Sequence, residues 1–125
     1  MTEATANLNS YRQSPRKVRL VASVIRGKSV IEAKNRLDFI TKRAVSPIHK
    51  LLNSAIANAK SLGLNEASLR VKSITVDGGK ILYRRRPVSR GSAHPIHKRT
   101  SHVKIVLEES VKGLNKKTKE IKTKK

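Results

Sequence analysis

From Gly78 to Leu107 the chain runs for thirty residues without one Asp or Glu, and eight of the thirty are Lys or Arg. Before Val103, Ile105 and Leu107 resume an apolar alternation, the greasy side chains are only Ile81, Leu82, Tyr83, Val88 and Ile96. Such a segment cannot be core, because unpaired charge is costly to bury. It cannot be the solvated face of a helix either, since no helical period runs through it. As a structureless loop inside a compact domain it would be unusually long. A two-stranded hairpin resolves the difficulty: Lys80 to Arg86 run outward, His97 to Val103 return, and the tip lies near Arg90-Gly91-Ser92. Pro87, Ser89, Gly91, Ser92, Ala93 and Pro95 supply small and turn-forming residues around that tip. At about 3.3 Å per residue each arm reaches on the order of 30 Å. A lone ribbon with two polar faces is marginal in water. Its order therefore calls for a partner that neutralises it, and RNA phosphate does so while releasing counterions. A disordered basic loop is the competing reading.

The rest of the composition points the same way. The 125 residues carry 29 Lys and Arg against 8 Asp and Glu, a formal charge of +21. That far exceeds what solubility asks of a small domain, and nucleic acid is the partner such a balance fits. One ordinary domain fits the length. We expect that domain over residues 1–110, with a lysine-rich C-terminal tail over 111–125 in which seven lysines face Glu120 alone. The absence of cysteine removes disulfides, thiol chemistry and Cys-type zinc sites, and fits a reducing cytoplasm. Met1-Thr2-Glu3-Ala4 places an acid where a targeting peptide needs basic residues. The apolar runs are too short to span a bilayer.

Around the basic segment the periodicity is that of an α+β domain. Ala4, Ala6 and Leu8 alternate with polar neighbours, which predicts a strand over residues 3–9. Ser14 and Pro15 then suit the cap and first turn of a helix whose stripe is Val18, Val21, Val24 and Ile25, with Gly27 in the left-handed terminal position. Ser29 and Glu32 form a capping-box pair ahead of a second helix that buries Val30, Ala33, Leu37 and Ile40. The third helix is expected from about Arg43 to Leu62. Val45, Ile48, Leu52, Ala55, Ile56, Ala59 and Leu62 keep its spacing, Pro47 is tolerated in the first turn, and Gly63 closes it. Next, Leu69 and Val71 alternate with Arg70 and Lys72, but Ile74 and Val76 continue out of phase, so a bulge is expected near Ser73. Val103, Ile105 and Leu107 make the last strand. The resulting architecture is three helices packed on a small antiparallel sheet, with a long protruding hairpin.

Other chemistry finds little support. His94, His97 and His102 lack metal-ligand spacing and sit among cations that would repel a metal ion, so neither metal nor cofactor is expected. The acids are scattered singly apart from Glu108-Glu109, which end a strand, so paired carboxylates for acid–base work are absent. No phosphate-loop motif occurs, and Ser, His and Asp are not brought together by spacing. We expect no enzyme and no small-molecule substrate. Tyr11, Phe39 and Tyr83 are the only aromatics, too few for a module that reads single strands on aromatic platforms. Recognition should rest on phosphate, ribose and shape, which suits arginine. The expected RNA contacts are Arg12, Arg16, Lys17 and Arg19 on the body. On the hairpin they are Arg84, Arg85, Arg86, Arg90, Lys98, Arg99, Thr100 and His102. A DNA-compacting protein would share the charge but not the acid-free hairpin. A membrane-active protein would need apolar helix faces that these helices give to one another.

Three stretches resemble a known family. Ser14-Pro15-Arg16-Lys17-Val18-Arg19-Leu20-Val21-Ala22 with Ile25-Arg26-Gly27-Lys28, then Ser54-Ala55-Ile56-Ala57-Asn58-Ala59, then Ile96-His97-Lys98-Arg99-Thr100-Ser101-His102-Val103 occur in this order. They resemble the large-subunit ribosomal protein twenty-two family, and Arg85-Arg86-Pro87 with Arg90-Gly91-Ser92-Ala93 fits its hairpin. The likeness covers about residues 4–108. It implies an α+β domain on the outside of the large ribosomal subunit, bound to ribosomal RNA and neighbouring ribosomal proteins. It also implies that the hairpin tip, here Val88, Ser89, Arg90, Gly91, Ser92 and Ala93, lines the exit tunnel beside the nascent peptide. Val88 and Ser92 stand where basic residues are frequent in that family. The implied location is a cytoplasmic or organellar ribosome.

Overall fold

The computed structural model describes residues 2–110; the lysine-rich tail expected over 111–125 lies outside the described residues. In chain order the elements are β1 (Glu3–Tyr11), α1 (Pro15–Ile25), α2 (Val30–Asp38), α3 (Val45–Ser61), β2 (Leu69–Gly78), β3 (Leu82–Pro87), β4 (Ala93–Lys98) and β5 (Ser101–Glu109). β1, β5 and β2 form an antiparallel sheet in that order, while β3 and β4 pair only with each other.

The helices cover one face of the sheet because the alternation of the strands leaves one apolar face to cover. Ala4 and Ala6 of β1, Leu69, Val71, Ile74 and Val76 of β2, and Val103, Ile105 and Leu107 of β5 are buried. They meet Val18, Val21, Ala22 and Ile25 of α1, Val30, Ala33 and Leu37 of α2, and Ile48, Leu52, Ala55, Ile56 and Ala59 of α3. The expected phase slip in β2 is a bulge: Val71 pairs with Leu107 and Ser73 with Val106, leaving Lys72 as the extra residue.

Several local expectations need correction. Gly27 has φ +73, but Arg26 before it is extended at φ −61, ψ 129, and the Lys28 amide donates to Ile25 O at 3.2 Å. That is a type II turn after a helix already ended, rather than a left-handed helix cap. Gly63, at φ +78, does close α3 as expected. Its amide bonds Lys60 O at 3.0 Å and the Leu64 amide bonds Ala59 O at 3.0 Å, the paired bonds of a Schellman motif. At α2 half of the capping box forms: Ser29 Oγ accepts from the Glu32 amide at 3.3 Å, while the Glu32 carboxylate turns to Arg36 at 2.7 Å. Leu62, expected inward, is exposed, and Leu51, which the periodicity passed over, is buried.

The hairpin exists, but its arms sit differently. Leu82 pairs with Lys98 and Pro87 with Ala93, so each arm has six residues, a ladder of about 20 Å. The return strand starts at Ala93 rather than His97, and it includes Pro95. Both members of a two-stranded ribbon are edges, where proline's missing amide can face outward. The expectation erred by treating Pro95 as part of the turn.

Among the described residues no helix is long and apolar enough to cross a membrane.

Candidate nucleic-acid interface

The hairpin leaves the sheet through a narrow neck. The Gly79 amide donates to Thr100 O at 2.9 Å, and Thr100 Oγ1 donates to Lys80 O at 2.6 Å. A Cβ on Gly79 would lie 2.5 Å from Thr100 Oγ1 and 3.0 Å from His102 Nε2, so glycine is needed there for close approach. On its other side His102 Nδ1 accepts from the Ser10 amide at 3.0 Å, at a kink in β1 where Ser10 has φ +54. Thr100 is buried. Thr100 and His102, expected as RNA contacts, are thus employed within the neck.

Beyond the neck the ribbon is exposed along nearly its whole length. Its register splits the arginine triplet. Arg84 lies opposite Ile96 and Arg86 opposite His94, on one face with Leu82 and Lys98; Arg85 lies opposite Pro95 on the other, with Tyr83 and His97. The Tyr83 and His97 rings meet edge to face with centroids 5.0 Å apart. At the tip, Ser89–Gly91 form a tight turn in which Arg90 (φ 58, ψ 32) and Gly91 (φ 70) are both left-handed. His97 thus meets Tyr83 and His102 meets the Ser10 amide, while His94 lies opposite Arg86. No cluster of three or more metal-ligating side chains occurs among the described residues.

Cations from three parts of the chain converge where the neck meets the start of α1. An open groove of about 880 Å³ is lined by Arg12, Gln13, Ser14 and Lys17, by Arg43 from the segment between α2 and α3, and by His97, Lys98 and Arg99 from the hairpin. A smaller hollow of about 350 Å³ is lined by Ser14, Pro15, Arg16, Arg19 and Arg99. Arg99 belongs to both, and neither wall contains a carboxylate. The Ser14 side chain makes no capping bond, and α1 has no acid in its first turn. The positive end of the helix dipole thus adds to the field of the arginines. The arrangement suits a chain of phosphates rather than one small anion, because the donors are spread over several elements and remain open to solvent.

Of the expected body contacts, Arg12, Arg16 and Lys17 face these hollows. Arg19 lines the smaller one, but its Nε and Nη2 donate to Val76 O at 3.1 and 2.9 Å, tying α1 to β2. Arg43 and His97 were missed. Nothing near Arg43 in sequence points to the groove; folding brings it there from some thirty residues beyond Arg12. Of the histidines only His102 is among the expected RNA contacts, whereas it is His97 that lines the groove.

Acidic residues are used up elsewhere. Glu66 is held down to about 2 by ion pairs with Lys60 and Lys34, at 2.7 and 2.9 Å. Glu108 is buried against Arg70, with Nε donating at 2.7 Å, and Glu3 pairs with Lys72, which lowers the glutamate's pKa and raises the lysine's. Of the seven carboxylates among the described residues, Glu3, Glu32, Glu66 and Glu108 thus pair with cations of the body, leaving the groove and ribbon positive.

Comparison with known proteins gives one consistent result. Residues 6–108 match the family described as ribosomal protein L22p/L17e. A large ribosomal subunit protein uL22 from Pelobacter propionicus is 45% identical over 109 residues, covering 86% of this chain and 98% of that protein. Its counterpart in Mesoplasma florum is 51% identical over 108 residues, covering 86% and 96%. That of Flavobacterium psychrophilum is 50% identical over 108 residues, covering 83% and 79%.

Proposed function

This chain belongs to the ribosomal protein L22p/L17e family, and from that premise we propose that it binds ribosomal RNA through the groove at the start of α1 and through the hairpin. It is a structural protein of the large ribosomal subunit, not an enzyme. The domain over residues 1–110, body and hairpin together, docks on the RNA, and neighbouring ribosomal proteins complete its surroundings. The observation that carries the RNA reading is the convergence of Arg12, Lys17, Arg43, Lys98 and Arg99 on one groove without a carboxylate in its wall. Cations so gathered repel one another until a polyphosphate lies among them.

In the same reading, Arg16 serves the smaller hollow and Arg84, Arg85, Arg86 and Arg90 follow RNA along both faces of the ribbon. The tip, Val88 to Ala93, reaches the nascent-peptide exit tunnel. That last step is supported by family membership and by a ribbon with no packing face of its own. The subunit works in translation in the cytoplasm.

The groove is tested by replacing Arg12, Lys17 and Arg99 together with Gln and titrating protein-free large-subunit RNA over a range of salt. Each lost phosphate contact should flatten the dependence of log affinity on log salt by about one unit, so a change near three is expected. An unaltered slope removes the groove from the interface. For the tip, a photoreactive side chain at Ser92 should cross-link to nascent peptide in translating ribosomes; cross-links to RNA or protein alone would withdraw the tunnel contact.

A further inference from the structure

Phe39 is 87% exposed, the most exposed of the large apolar side chains among the described residues. Its backbone is fixed: it caps α2 at φ −88, ψ −11, with its amide donating to Arg36 O at 3.3 Å. The inward positions on either side belong to Leu37, fully buried, and Ile40, packed partly against the core. Two residues from Leu37 on a helix of about 100° per residue, Phe39 points away from the core. The fold therefore presents the ring to whatever lies outside.

The surroundings favour one occupant. From Phe39 to Asn53 there is no Asp or Glu, whereas Lys42, Arg43 and Lys50 fall in that span, and Lys42 and Lys50 share a hollow with Leu37, Asp38 and Ile40 at the end of α2. The adjacent Asp38 has its carboxylate 3.9 Å from His49 Nε2. Arg43 lines the basic groove, and four residues of chain place it at most about 14 Å from Phe39. That is within about four stacked nucleotides of a strand whose phosphates pass Arg43, at about 3.4 Å each. A protein partner would ask for a contiguous apolar patch around the ring. The other exposed large aliphatics are not its chain neighbours: Leu20 lies on α1, Ile31 is in the first turn of α2, about 12 Å along the helix, and Leu62 lies beyond the far end of α3, a helix of about 25 Å.

We propose that Phe39 is a stacking post for one unpaired nucleobase of the RNA whose phosphates occupy the groove at Arg43. The inference rests on the RNA-binding reading and adds to it a single base contact, made by a ring rather than by hydrogen bonds. It differs from the aromatic platforms of single-strand binders in being solitary, so it selects an unstacked base without reading its identity.

The chain has no tryptophan, so Phe39→Trp introduces a lone indole reporter at an exposed site in the full-length protein. Its emission should be quenched by protein-free large-subunit RNA and much less by fully duplex RNA at equal phosphate concentration and equal saturation. In parallel, Phe39→Ala should weaken binding to large-subunit RNA by about ten-fold while leaving duplex binding within two-fold. Equal quenching by both RNAs, or unaltered affinity on Phe39→Ala, overturns the stacking post and leaves the phosphate groove standing. Emission that changes only in assembled subunits, and not with RNA alone, assigns the ring to a neighbouring protein and likewise overturns it. If the unaltered protein fails to bind large-subunit RNA, the RNA reading falls first and the stacking post with it. Unchanged circular dichroism for both variants confirms that the ring carries no part of the fold.

Discussion

The body and the ribbon are built on opposite principles from one continuous pair of strands. β2 and β5 run side by side, pass the neck at Gly79 and Thr100, and continue outward as β3 and β4. On the body side, Val71, Ile74, Val76, Val103, Ile105 and Leu107 are buried under helices. On the outer side no residue of β3 or β4 is buried. The hydrogen-bonded ladder is the same kind on both sides, so ladder bonds alone do not decide stability; the apolar face does. The body can hold itself together, whereas the ribbon's order is finished by what it touches.

The hardest test of that contrast pairs two deletions of very different size. Ile105→Ala removes three carbons from the fully buried middle of the central strand and should cost about 2–5 kcal/mol, read as a lowered thermal midpoint. Removing residues 85–99, fifteen in all, should leave the midpoint of the helical signal almost unchanged. If the large deletion melts the helices and the small one does not, body and arm are not separate.

A smaller effect sharpens the boundary itself. Gly79→Ala places a methyl group against Thr100 and His102 and should cost about 1–3 kcal/mol by forcing the neck apart. The change should appear in hydrogen exchange at the Gly79 and Ser10 amides, with the exchange of α3 unaffected. Loss confined to α3 would place the strain elsewhere.

How far the residues alone disclosed this arrangement follows from the range of the interactions. Helix stripes such as Ile48, Leu52, Ala55 and Ile56, the terminal Gly63 and the phase slip before Ile74 are local signals, and each corresponds to a feature of the structure. The hairpin was legible because its lack of acids and its thin apolar content are also local. Its register was not, because Pro95 belongs to an edge strand rather than to the turn. The roles of Thr100, His102 and Arg19 were hidden for a different reason: their partners are backbone groups at Lys80, Ser10 and Val76, far off in sequence. Arg43 joins Arg12 and Arg99 only through tertiary folding. A cation's type can be read from sequence, but its company cannot.

The placement of β5 has one more consequence, for the order of events during synthesis. β1 and β2 share no ladder bonds and meet only through side chains such as Glu3 and Lys72; each pairs with β5, which follows both in the chain and lies between them. Until the ribosome has released residues past Glu109, the first nine-residue strand has no neighbour to zip onto, however long it has been waiting. A copy terminated before β5 would lack the strand that joins β1 to β2 beneath the helices, and the return to the sheet that anchors the ribbon. Synthesis of β5 is therefore the event that closes the sheet, and until then the apolar faces of β1 and β2 have no strand between them.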